Sequence, residues 1–280
     1  MQKISYNILD KIGRLTNAEL NVLLYMARYQ DDKGRIRGIY FKEVCANLSI
    51  CNQTFYNVLE ALRKKNVITC KKASYWDYDV TILENDFSCK EALKAGYISL
   101  AHSCFDTSNL QRMGRVEKVL LLHLMKMTYS VKGAYHIKKE HFYEKYANIA
   151  GVSQKAVKYA IHKVRRYFDI SLRAKEYIIS PKSSIRKKSN RDKSEAQQLR
   201  EHLLETILRR HKIKSAAEDK RQDMLTLFRQ YEERIHRIGK DVYTIISNAV
   251  AASMLQLDRI RTNVRQLEPA LIHTYILRSL

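Results

Sequence analysis

Residues 41–72 read FKEVCANLSICNQTFYNVLEALRKKNVITCKK, and the reading of this stretch decides the fold. Phe41, Val44, Cys45 and Leu48 recur at helical spacing, and the stripe breaks at Ser49-Ile50. A second stripe follows at Phe55, Val58, Leu59 and Leu62, leaving Asn52, Gln53, Thr54, Tyr56 and Asn57 on the opposite face. Lys64-Lys65-Asn66 ends that helix, and Val67-Ile68-Thr69-Cys70 opens β-rich sequence. The predicted order is helix, tight turn, polar-faced helix, strand.

The flanking sequence supports this order. Upstream, Thr16 with Glu19 three residues on makes a capping box for a helix that buries Leu20, Leu23, Leu24 and Ala27. Asp31-Asp32-Lys33-Gly34 supplies the turn that ends it. Downstream, residues 67–72 and 78–83 alternate well enough to pair as a hairpin, with Ala73-Ser74-Tyr75-Trp76-Asp77 at its tip. The only Trp in the chain lies there, either against a sugar-phosphate edge or folded back on the core. Residues 85–108 connect to a second series. A helix is predicted over 109–128, with Val116, Leu120, Leu121, Leu124 and Met127 inward, and another over 137–151, with Phe142, Tyr146 and Ile149 in phase. After a Gly151-Val152-Ser153 turn, Ser153 caps a helix that buries Ala156, Val157, Ala160, Ile161, Val164 and Phe168. Residues 171–173 and 177–179 are set to pair around Ala174-Lys175-Glu176, repeating the order of the first series.

FKEVCANLSICNQTFYNVLEALRKKNVI resembles the winged helix-turn-helix of bacterial transcription regulators, and ANIAGVSQKAVKYAIHKVRRYF, residues 147–168, is similar. Together the two units cover about two thirds of the chain. Two such units in one chain also resemble plasmid replication initiators. The resemblance implies a mainly α fold with small β wings: a first winged helix domain over 1–86 and a second over 87–180. A basic linker over 181–193 and a helical C-terminal domain over 194–280 complete the expected plan.

The charge agrees with a polyanionic partner. The chain has 280 residues, with 51 Lys+Arg against 29 Asp+Glu and a net charge of +22. The excess is roughly +4 over residues 1–100, +9 over 101–180 and +9 over the remainder. No long apolar run and no signal-peptide pattern are present, so the expectation is a cytoplasmic protein with no membrane partner. Five cysteines, at 45, 51, 70, 89 and 104, are odd in number and lack paired CxxC spacing, which reads as reduced thiols mostly in or near cores, with a redox switch or metal site as the alternative.

The linker Pro181-Lys182-Ser183-Ser184-Ile185-Arg186-Lys187-Lys188-Ser189-Asn190-Arg191-Asp192-Lys193 is either an arm that lies along phosphates or a solvated tether. Beyond it the pattern is helical. One helix over 195–212 points Leu199, Leu203, Ile207 and Leu208 inward, and another carries Met224, Phe228, Tyr231, Ile235 and Ile238. Ile246, Val250, Ser253, Leu257, Ile260, Val264 and Leu267 make a heptad seam in a third, which serves either bundle packing or a homodimer through the C-terminal helices. A short helix after Pro269 ends the chain.

A helix-turn-helix offers the first exposed residues of its second helix to the major groove. In the first unit these are Asn52, Gln53, Thr54, Tyr56 and Asn57, whose amides and hydroxyls suit adenine and thymine edges, with Lys71 and Lys72 on the wing. In the second unit they are Ser153, Gln154, Lys155, Lys158, Tyr159 and His162, with Arg165 and Arg166 beyond, a set suited to phosphates or guanine. Arg186, Lys187 and Lys188 of the linker join them. The alternative for the second set is a solvated basic face. Walker, GxSxG and HExxH patterns are absent from the chain, and His136 with His141, or His102 with Cys104, make no convincing metal site. The expectation is a sequence-specific, double-stranded-DNA-binding regulator without catalysis, metal or cofactor. The alternatives are a plasmid or phage replication initiator, and a winged-helix scaffold for protein partners.

Overall fold

The computed structural model describes residues 2–89, 93–100, 112–131, 134–182, 192–213, 216–259 and 266–280. It is mostly helical with small antiparallel sheets, and the chain separates into two units, Met1–Asp192 and Lys193–Leu280.

The first unit opens with β1 (Gln2–Ser5) and α1 (Tyr6–Lys11), which the Ser5 hydroxyl caps by accepting from the Ile8 amide at 3.3 Å. Helix α2 (Asn17–Met26) starts on a complete capping box: the Glu19 amide donates to Thr16 Oγ1 at 3.3 Å, and the Thr16 amide donates to Glu19 Oε2 at 2.7 Å. Strand β2 (Arg35–Tyr40) runs directly into α3 (Phe41–Leu48). Ser49 closes α3 in the left-handed region at φ 52°, and the Ile50 amide returns to the Cys45 carbonyl at 3.1 Å. Helix α4 (Asn52–Lys64) buries Phe55, Val58, Leu59 and Leu62, and its exit is tied down because Lys65 Nζ reaches both oxygens of buried Glu19 at 2.7 and 2.8 Å. Strands β3 (Ile68–Lys72) and β4 (Asp77–Ile82) join β2 in a sheet of order β2-β4-β3. Strand β2 extends the predicted hairpin by a member that the residue pattern hides. Its register against β4 shifts between Ile36 and Ile39, and Gly38 sits at φ 69° with its amide on Asp79 Oδ1 at 3.0 Å.

Strand β5 (Tyr97–Leu100) pairs back with β1. Helix α5 (Arg115–Ser130) starts later than the predicted 109, where the Gly114 amide donates to the Glu117 carboxylate at 3.1 Å; residues 109–111 lie outside the described ones. Ile137 and Lys138, expected at the start of a helix, belong instead to strand β6 (Tyr135–Lys138), and α6 (Lys139–Ala150) follows it. Helix α7 (Gln154–Val164) stops short of Phe168, which is buried as the first residue of β7 (Phe168–Arg173). Strand β8 (Glu176–Pro181) returns after a two-residue turn, with Ala174 and Lys175 at φ 44° and 66°, and Glu176 is the strand's first residue rather than part of the tip.

The second half therefore repeats the first. The sheet order β6-β8-β7 matches β2-β4-β3, and each first strand leads straight into a helix. Gly151, at φ 61°, occupies the place of Ser49, and the Val152 amide returns to the Ala147 carbonyl at 3.0 Å as Ile50 does to Cys45. Phe55, Val58, Leu59 and Leu62 of α4 correspond in order to buried Val157, Ala160, Ile161 and Val164 of α7.

The two halves share one core, continuous from Ile4 to Ile179, with α5 packed on α1 and α2 as well as on α7. At the junction a Cβ added to Gly13 would stand 2.0 Å from the Ile149 carbonyl oxygen, so only glycine permits this approach. The Arg115 guanidinium donates to the Leu15 carbonyl at 2.6 Å and to the Gly13 carbonyl, and Lys126 meets Asp10 at 2.7 Å.

The second unit is a bundle of α8 (Asp192–Arg210), α9 (Glu218–Arg237), α10 (Val242–Arg259) and α11 (Pro269–Ser279). Its core includes Leu204, Ile207, Leu208, Met224, Phe228, Tyr231, Ile235, Ile246, Val250 and Ile276. Leu204 takes the inward place expected of Leu203, which is only partly buried along with Leu199, and Ile238 is exposed at the end of α9. Arg200 binds Glu232 at 2.8 Å and Lys220 binds Glu268 at 2.5 Å, pinning neighbouring helices. No helix is long and apolar enough to cross a membrane among the described residues.

Candidate nucleic-acid interface

The turn before α4 and the burial of its apolar stripe push the opposite face outward. Asn52, Gln53, Tyr56 and Asn57 are exposed and Thr54 is half-buried. Gln53 Nε2 donates to Asn57 Oδ1 at 2.8 Å, one turn along the helix. This arrangement leaves Gln53 Oε1 and Asn57 Nδ2 as an adjacent acceptor and donor, complementary to the N6 donor and N7 acceptor of an adenine edge. Cys51 stands in the N-cap position that Ser153 fills in the repeat. Its thiol lies 3.1 Å from Thr54 Oγ1, and hydrogen bonding from that hydroxyl, reinforced by backbone amides, holds it below the ordinary thiol range. Of the four described cysteines, Cys45 and Cys70 are half-buried and Cys51 and Cys89 are exposed, so the expectation of thiols mostly in or near cores holds for only two of them; Cys104 lies outside the described residues. Glu60 is the one acid on α4, and Arg63 and Lys64 close on it at 2.9 and 3.7 Å. The face is close to neutral and rich in amides.

The equivalent face of α7 differs in kind. Ser153 caps the helix by accepting from the Ala156 amide at 3.4 Å, and Gln154, Lys155, Lys158, Tyr159, His162, Arg165 and Arg166 are all exposed. The helix contains no acid. Lys158 Nζ lies 5.4 Å from the Tyr143 ring centroid, and the Arg166 guanidinium 6.0 Å from that of Tyr167, so both cations are steadied against rings without being neutralised by them.

Lys71 and Lys72 are exposed on β3, where Lys71 pairs with Asp79 and Lys72 with Tyr78 in register. Trp76 folds back, stacking on Phe41 with centroids 6.3 Å apart and planes 18° apart, yet stays partly exposed. Arg186, Lys187 and Lys188 lie outside the described residues, as do His102, Ile260 and Val264. Ile246, Val250 and Ser253 of the predicted seam are buried within their own unit, so a homodimer through those positions would displace packing already present in one chain.

Two titratable groups at the junction of the halves were not singled out from the sequence. Lys118 has no exposed surface, its Nζ donates to Asn17 Oδ1 at 2.7 Å, and burial pushes its pKa down to about 8. His123 is buried, its Nε2 has no hydrogen-bond partner among the described residues, and burial, helped by Lys126, pushes its pKa down to about 4. Their only sequence signal is position, polar residues inside the run KVLLLHLM.

Comparison with protein-family models, curated proteins and solved structures found no match.

Proposed function

We propose that the chain is a sequence-specific binder of double-stranded DNA, most simply a transcriptional regulator, built on two winged helix-turn-helix units. The observation that carries this reading is the repeat itself. Two equivalent helices turn outward faces of different chemistry, amide-rich on α4 and cationic on α7, on a chain of net charge +22. Amides distinguish bases and cations neutralise phosphates, so α4 is the reader and α7 the clamp. The shared core holds the two at a fixed separation, which commits them to one spacing along a duplex.

Selection of preferred sequences from a random duplex pool, followed by titration of variants, tests this. Asn52→Ala with Gln53→Ala is expected to relax preference at one or two positions by about 1–3 kcal/mol each while leaving affinity for unrelated duplex intact. Lys155→Ala with Lys158→Ala is expected to weaken all sequences alike and to flatten the dependence of log K on log salt by about 0.9 per lost phosphate contact. A pool from which no sequence is enriched, or binding insensitive to salt, overturns the reading in favour of a protein-interaction scaffold.

A further inference from the structure

We propose that the tip of the β3–β4 hairpin binds unpaired nucleobases, with Tyr75 and Trp76 as the stacking surface and Lys42 and Lys72 beside them for phosphates. The proposal rests on the DNA-binding reading and adds to it a second substrate class, single-stranded nucleic acid. Tyr75 is 74 % and Trp76 44 % exposed, and Tyr56 is 38 % exposed at the start of α4, whereas Phe41, at 7 %, forms a buried floor between them. Trp76 stacks on that floor, and Tyr56 tilts against it with centroids 5.9 Å apart. Tyr75 stands edge-on to Trp76 at 4.5 Å. Lys42 Nζ lies 5.4 Å from the Trp76 centroid and Lys72 Nζ 5.2 Å from that of Tyr75. Exposed rings interleaved with ammonium groups are what a single strand requires, since bases stack on the rings and phosphates meet the cations.

Hairpin closure does not account for this tip. The repeat closes the equivalent hairpin with Ala174 and Lys175 alone. The first hairpin instead carries Ala73, Ser74, Tyr75 and Trp76 before β4, held by the Ser74 hydroxyl, which accepts from the amides of Trp76 at 3.2 Å and Asp77 at 3.3 Å. Packing does not account for it either. Trp76 on Phe41 stabilises the tip, but Tyr75 adds little buried surface and leaves most of a large ring in water. An apolar protein partner would be served by the rings but not by the lysines set against them.

Trp76 is the only tryptophan in the chain, so its emission reads the tip without a label. The full-length protein is titrated with oligodeoxythymidylate, with a G·C-rich duplex and with inorganic polyphosphate at equal ionic strength. The single strand is expected to quench Trp76 saturably, and polyphosphate, which has charge but no bases, is not. Tyr75→Ala is expected to weaken single-strand binding about 5- to 150-fold, the span set by stacking one base on an aromatic ring, and to leave duplex binding unchanged. Tyr75→Phe is expected to retain it. Equal quenching by polyphosphate, or no quenching with duplex still bound, overturns the proposal and spares the duplex reading. Failure of every nucleic acid to bind overturns both. Because the wild-type quenching needs no variant, a misfolded Tyr75→Ala does not protect the proposal.

Discussion

Replacing Lys118 by Met tests the physics of the junction between the two halves. The lysine has no exposed surface, and its Nζ donates to Asn17 Oδ1 at 2.7 Å. Its pKa falls from 10.5 to about 8, chiefly through burial. At about 1.4 kcal/mol per unit, the charged form costs the folded state about 3 kcal/mol. Below pH 8 both folded and unfolded chains hold the proton and the whole cost is present. Between pH 8 and 10.5 the folded chain releases its proton first, so stability rises with pH, and roughly 1 kcal/mol of the cost remains at pH 10. Lys118→Met keeps the aliphatic volume, removes the charge and forfeits a hydrogen bond worth about 1 kcal/mol, while exposed Asn17 turns to water. The variant is expected to be more stable than wild type by about 2 kcal/mol at pH 7 and nearly equal to it at pH 10. Urea unfolding followed by Trp76 emission reports on this unit, because no other tryptophan contributes. A stability difference that is the same at both pH values would refute the reasoning, since a buried charge must show its cost only where it is charged.

The opposite limb of the pH profile belongs to His123. Its pKa is depressed to about 4, so the unfolded chain takes up a proton first as pH falls below 6.5 and wild type loses about 3 kcal/mol by pH 4. His123→Gln is expected to lack that slope, so the stability difference between wild type and variant shifts by about 3 kcal/mol between pH 7 and pH 4, as read by urea midpoints at the two pH values. Gly13→Ala drives a methyl into the Ile149 carbonyl and is expected to destabilise the first unit by about 3 kcal/mol, lowering its melting temperature. A wild-type melting temperature in that variant would mean that the two halves do not meet there.

Helices α3 and α4 were legible because their apolar stripes keep the helical period and are buried on one side only. The polar face followed from the same stripe, since residues a half-turn from Phe55, Val58 and Leu62 have nowhere to go but water. Strands β2 and β6 escaped because each abuts a helix without turn residues between, so the period changes inside a few positions. In α8 the phase slipped by one residue, from Leu203 to Leu204, because leucines occupy both positions and nothing local separates them. The shared core was not legible at all. It depends on Gly13 meeting Ile149 and on Arg115 reaching back to Leu15, contacts made across a hundred positions or more. Cys51 in an N-cap position was also missed, although its alignment with Ser153 in the repeat was the available signal.

That shared core bears on how the two faces work. Were the halves independent, each helix would bind its own few base pairs and the chain between them would cost affinity as a tether. If both faces meet DNA as proposed, then, held on one core, α4 and α7 would engage together or strain one another, so a duplex of the wrong spacing would be rejected even where its bases suit α4. The division of chemistry then follows. On the proposed reading, the amide face would tolerate near-neutrality because α7 would supply the phosphate contacts, and α7 would need no base discrimination because its position would be inherited from α4. The aromatic tip fits this scheme only if unpaired bases occur beside the bound duplex. A protein that binds both forms at adjacent sites lowers the free energy of opening by the affinity it adds for the opened strand. A replication initiator must open duplex beside its binding site, whereas a repressor that only occupies its operator has no need of that coupling. The single-strand titration of Tyr75 and Trp76 thus separates the two readings, and the duplex-reading role proposed for the α4 face is common to both.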